Sequence, residues 1–188
     1  MLPRHKAWFA GAVLAMATGA ASIAMAQTTA QTQRASAAEH PIPQSQQVEH
    51  AETLQRLGVL SKHPGAVGAE ARKAMALFKR HYAREEAYIL PPLTLLPVLA
   101  DGKATPDMAW ALAMCDRVKA DEAEIYQEHT EVTSAANALY AAGLAAHDAQ
   151  AMEFARAAVT DSLNDMELLE PAVQLIGEHL RMALGSGH

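Results

Sequence analysis

One spacing recurs in this chain and limits what it can fold into. His81-Tyr82-Ala83-Arg84-Glu85 and Asp161-Ser162-Leu163-Asn164-Asp165 each carry a polar pair at i, i+4. The first member of each pair stands ten positions before a proline, Pro91 and Pro171. Residues four apart share a helical face, and proline stops or kinks the helix. Upstream, Glu49-His50-Ala51-Glu52 has its His 31 residues before His81, and Glu128-His129-Thr130-Glu131 has its His 32 before Asp161. The chain reads as two copies of a helical hairpin, with a His on the first helix and a polar pair on the second. At about 1.5 Å rise per residue, short turns bring the marked residues to nearly one height. The spacing predicts a four-helix bundle in which His50, His81, Glu85, His129, Asp161 and Asp165 converge at one level.

Composition agrees with an all-α chain. Half of the 188 residues are apolar, Ala and Leu outnumber the β-branched types, and only three Phe and two Trp occur. The formal charge of -6, with no Lys/Arg block, argues against a nucleic-acid partner. Cys115 is the single cysteine and sits in an apolar stretch, so it reads as a buried core thiol. GxSxG, P-loop and dinucleotide fingerprints are absent from the sequence.

The first 26 residues read as a signal peptide: a basic start at Arg4, His5 and Lys6, an apolar Ala-rich run, and the small-x-small site Ala24-Met25-Ala26. Cleavage there removes Arg4 and Lys6, moves the charge from -6 to -8, and sends the chain to the periplasm or outside the cell, without stable membrane insertion. Residues 27–45, rich in Gln, Thr, Ala and Ser, read as a disordered linker holding a solvent-exposed His40. The bundle is expected over 46–184, with 185–188 a flexible tail.

Within the bundle, helices are expected over about 45–61, 67–90, 105–142 (bent near Ala120-Asp121) and 149–184, with Pro171 kinking or breaking the last. Val48, Leu54, Leu57 and Leu60 supply the apolar positions of the first. His63 falls in a Pro-Gly turn, and Gly143 to Asp148 forms the last turn, where His147 reads as a cap or surface residue. His179 reads as a surface residue. Tyr88 either lines the site or packs in the core, and Glu86 and Glu167 read as surface groups or supports for the ligands.

Three imidazoles and three carboxylates turned inward would be ruinous in a dry core unless paired or bound to metal. Nitrogen and oxygen donors without thiolate suit iron, manganese or zinc. Carboxylates and imidazoles from facing helices of a bundle commonly hold two metals. The spacing leaves open a plainer account, a duplicated hairpin that keeps its polar pairs for structural reasons.

At these residues the chain resembles the hemerythrin-like, or HHE cation-binding, family over about 46–184. The segments that carry the likeness are HYAREEAYILPPL, EIYQEH and LLEPAVQLIGEHL. The resemblance implies an up-down-up-down bundle around a non-haem di-iron centre and carries the ligand role onto His50, His81, Glu85 and His129. Family members usually have His and Glu where this chain has Asp161 and Asp165. That substitution makes the site more anionic and favours a ferric state or manganese over a reversible oxygen carrier. The resulting expectation is a periplasmic metal-binding protein that binds or senses dioxygen, nitric oxide or peroxide. It is more a binding protein than an enzyme. The alternatives are a peroxidase- or ferroxidase-like di-iron enzyme and a structural or interaction bundle whose metal site has decayed.

Overall fold

The computed structural model describes residues 40–185, which form helices joined by short turns, with no strand among them. The expected signal segment 1–26, most of the expected linker and residues 186–188 lie outside the described residues. The helices are α1 (Gln44–Leu60), α2 (Gly65–Arg84), the short α3 (Leu96–Ala100), α4 (Trp110–Ala120), α5 (Glu122–Ala146), α6 (Ala149–Asn164) and α7 (Glu170–Gly185). Helix α1 packs on α2, α2 on α5 and α5 on α6, and α6 touches α1, while α4 packs on α7. None of the described helices is long and apolar enough to cross a membrane.

The two prolines shape the helices that carry the polar pairs. Proline has no N–H for the carbonyl one turn back, and its ring crowds that turn. Ahead of Pro91 the chain widens into a π turn, Glu85–Ile89, in which Leu90 N–H donates to Glu85 O at 2.9 Å. A 3-10 turn over Pro91–Leu95 follows. Ahead of Pro171 the same device recurs: the π turn Asp165–Leu169 joins α6 to α7, and Glu170 N–H bonds Asp165 O. The last helix therefore runs through its proline without a break. The repeat seen in the residues extends to the backbone.

Other boundaries differ from expectation for local reasons. The bend near Ala120 is a full break at Asp121, which separates α4 from α5. Gly143 stays helical and lies where α5 meets α6; a Cβ there would stand 2.9 Å from Ala151 Cβ, so the glycine permits close packing and not a turn. The turn belongs to His147, in the left-handed region at φ 54°, and to Asp148, whose Oδ1 caps α6 by accepting from Ala151 N–H. Val48 is exposed, whereas Leu57 and Leu60 are buried. His40 is half-buried and stacks on Trp110 at 3.7 Å between ring centroids. Ile42 packs against the apolar interior, and helix α1 already begins at Gln44. Cys115 is buried as expected, and Gly177 gives it room.

The apolar interior falls into two clusters. One gathers Leu57, Val67, Phe78, Leu139 and Phe154 from α1, α2, α5 and α6. The other gathers Ile89, Leu93, Val118, Ile125, Val173 and Leu180 around α4, α7 and the first π turn. Along three of the chain's helical rods a polar stretch falls between them: His81 and Glu85 between Phe78 and Tyr88, Glu128 and His129 between Ile125 and Val132, Ser162 to Glu170 between Ala158 and Val173. Buried charge forms a layer across an otherwise oily interior.

Candidate metal centre

The layer contains His50, His81, Glu85, Glu128, His129, Ser162, Asp165 and Glu170, all buried. His50, on α1, stacks on Tyr82 at 3.7 Å and turns both nitrogens to carboxylates. Nε2 stands 3.2 Å from Glu85 Oε2, and Glu86 Oε1 accepts from Nδ1 at 2.9 Å. Burial alone would lower the His50 pKa, but Glu85 and Glu86 outweigh it and hold it above the ordinary value. His81 Nε2 lies 3.4 Å from Glu85 Oε1, and its ring meets the His129 ring edge-on at 4.6 Å. Glu85 thus stands between two imidazoles, one on each oxygen. Its Oε2 is buried and makes no hydrogen bond, the 3.2 Å approach of His50 lacking the alignment.

His129 is buried completely. Its Nδ1 lies 3.0 Å from Ser162 Oγ and its Nε2 2.8 Å from Glu170 Oε1. His81, His129 and Asp165 each present one donor atom, and the three lie within 4.8 Å of one another. Burial pushes the Asp165 carboxyl well above the usual carboxylate range, with Glu85, Glu49, Asp161 and Glu170 adding to the shift. That environment favours the neutral carboxyl, and a bound cation would favour the carboxylate instead.

Two residues outside the sequence-predicted set support it. Glu128 accepts from Arg80 Nε at 3.0 Å, and its Oε2 lies 3.0 Å from Arg84 Nε and 3.9 Å from His81 Nδ1. Burial pushes its carboxyl upward, but His81, Arg80 and Arg84 prevail and hold it down at about 2. Glu49 occupies the corresponding place before His50. Burial raises it, and the charge of Asp161 raises it further. Each His thus meets a carboxylate of its own hairpin, and Glu128 also approaches His81, the first member of the other hairpin's pair. The sequence signal for both was the Glu that precedes each His.

Asp161 stands apart from the other candidates. It is half-buried, raised by burial with Arg56 pulling the other way, and makes no hydrogen bond or ion pair among the described residues. Tyr88 belongs to the core; its hydroxyl donates to Asp121 Oδ2 at 2.9 Å beneath the Arg117 guanidinium. Glu167 and His179 are exposed, as is His147. His63 pairs with Asp148 at 2.5 Å, where the α1–α2 and α5–α6 connections meet.

His81, His129 and Asp165 could hold a metal ion. Two N or O donors bonded to one ion at about 2.0–2.2 Å sit roughly 3–3.5 Å apart. The 3.2, 3.4 and 2.8 Å separations at Glu85 and His129 lie in or near that range. An open hollow of about 420 Å³, lined by Pro41, Ile42, Gln47, His50, Leu54 and Glu86, reaches the His50 side from solvent. Comparisons of the chain with protein-family models, curated proteins and solved structures give no match.

Proposed function

We propose that this chain is a hemerythrin-like metal-binding protein, exported to the periplasm, whose buried non-haem di-iron site binds or senses dioxygen, nitric oxide or peroxide. The observation that carries this reading is Glu85. It is a buried carboxylate with an imidazole close to each oxygen and one oxygen left without a hydrogen bond. Such a group is costly in a folded core unless a cation completes it. The helix pairing, a ring of α1, α2, α5 and α6 in two antiparallel hairpins, supports the four-helix bundle of that family. The Ala24-Met25-Ala26 site supports export.

His50, His81, Glu85, His129 and Asp165 would hold the metal. Bound iron would supply a redox-active Lewis acid with room for a small ligand. The residues do the remaining work. Glu86 fixes the proton of His50 on Nδ1 and leaves Nε2 facing Glu85. Glu128, clamped by two arginines, orients His81. The apolar clusters on either side keep bulk water from the layer. Manganese and zinc suit the same donors, and the carboxylates on the α6–α7 side favour a second reading, an enzyme that reduces peroxide or oxidises iron.

Metal content tests the proposal. The chain from residue 27 onward, purified from iron-rich cells, is expected to carry about two irons and to absorb in the near ultraviolet through ligand-to-metal charge transfer. His81→Ala is expected to lose the iron and keep its helicity. A wild-type chain that carries no metal, with helicity indifferent to chelator, would leave only a structural bundle. Turnover of peroxide with an electron donor would move the conclusion to the enzyme.

A further inference from the structure

We infer that residues 40–51, a strap over 40–43 with the first two turns of α1, form a flap that lifts as one unit and admits small ligands to the buried layer. The flap is a property of the fold, whereas what it admits rests on the metal-binding reading above. The first two turns of α1 have little of their own to hold them down. Among residues 44–51 His50 alone is buried, and Val48, the one large apolar side chain there, is 48% exposed. The helix starts on Pro43 with no side-chain cap and no acidic residue in its first turn. Neither capping nor the helix dipole steadies that end. On α1 the buried apolar residues are Leu57 and Leu60, further along.

The anchors lie in the strap and on His50. His40 stacks on Trp110 of α4 with ring planes 8° apart. Ile42 packs against the apolar cluster around α4 and α7, and its carbonyl accepts from Gln47 Nε2 at 3.0 Å. The Pro43 carbonyl accepts from the N–H groups of Gln46 and Gln47 at 3.0 and 3.1 Å, which ties the strap to the helix start. Pro41 and Pro43 fix φ, so the strap passes movement on to the helix. On the inside, the Tyr82 ring and Glu86 hold His50. A segment with so few buried apolar contacts opens at low cost. Its opening carries His50 outward and uncovers Glu85, whose Oε2 lies 3.2 Å from the ring. The hollow at His50 is walled by Pro41 and Ile42 from the strap, Ala51 from α1 and Glu86 from the first π turn. Both parts of the flap therefore border the same opening.

Hydrogen exchange on the metal-free chain from residue 27 onward tests the flap without reference to any metal. Amides of residues 44–51 are expected to exchange about a hundredfold faster than those of 125–132 on α5. Ile42→Ala is expected to speed the first segment by about another tenfold and leave the second unchanged. The two tryptophans are Trp8 and Trp110, so beyond residue 27 only Trp110 emits. Acrylamide quenching of Trp110 is expected to rise in Ile42→Ala, which leaves His40 in the chain, because the strap lifts as one piece. If 44–51 are protected as well as 125–132, or if Ile42→Ala speeds both segments alike, the flap is overturned. Access is read by mixing nitric oxide with the ferrous-loaded chain in stopped flow. Ile42→Ala is expected to raise the association rate by about three- to tenfold at unchanged iron content. An unchanged rate overturns the access role while the metal reading stands. A wild-type chain that takes up no iron overturns the metal reading and the access role together, and the exchange result still decides the flap.

Discussion

Glu128 shows how a single carboxylate ties charge to stability. Its carboxyl titrates near 2 in the folded chain against an ordinary 4.5. The folded state therefore binds fewer protons than the unfolded one between those values. The stabilisation is present above pH about 4.5 and lost as pH falls toward 2. Glu128→Gln is expected to lower stability at pH 7 by on the order of 2 kcal/mol, with the deficit shrinking below pH 4.5 and gone near pH 2. Urea unfolding at a series of pH values measures it; a deficit that stays constant down to pH 2 would assign the loss to packing. At this scale much was legible in the sequence. His50, His81, Glu85, His129 and Asp165 meet because i, i+4 spacing and matched hairpin lengths leave little freedom. Glu170 was not legible, because its place depends on a π turn that an α-helical wheel does not contain.

At the scale of elements, glycine positions report which helices touch. A Cβ on Gly177 of α7 would stand 2.7 Å from Cys115 Cβ on α4, closer than packed carbons allow. Gly177→Ala is expected to destabilise the chain by about 1–3 kcal/mol. Gly58, on α1, offers a contrast. A Cβ there meets only Met75 Cε at 3.9 Å, so Gly58→Ala is expected to stabilise by roughly 0.5–1 kcal/mol through helix propensity alone. Guanidinium midpoints of the two variants should move in opposite directions. The helices themselves were legible from apolar periodicity, and the prolines marked both special turns. Their form was not, since Pro171 reads equally as a kink, a break or, as found, the residue a widened turn makes room for. Gly143 misled for a related reason. Glycine marks a turn and a close helix contact with the same letter, and only the neighbour, Ala151, tells them apart.

Across the whole molecule, the two apolar clusters are joined by helices that run through the polar layer. A metal that binds the folded chain alone raises the melting temperature by mass action, so chelation is expected to lower it. The layered interior adds something that mass action does not. Without a metal the layer is expected to be the weakest part of the interior, so that either cluster melts with little effect on the other. Calorimetry of the chelated chain is then expected to give a van't Hoff enthalpy well below the calorimetric one, or two resolved peaks; the metal-loaded chain should melt in one transition with the two enthalpies equal. Amide exchange would trace the same boundary, with α6 and α7 protected to different degrees until an ion spans the layer. The centre would be a rivet as well as a ligand site, and loss of metal would turn one cooperative body into two weakly coupled ones.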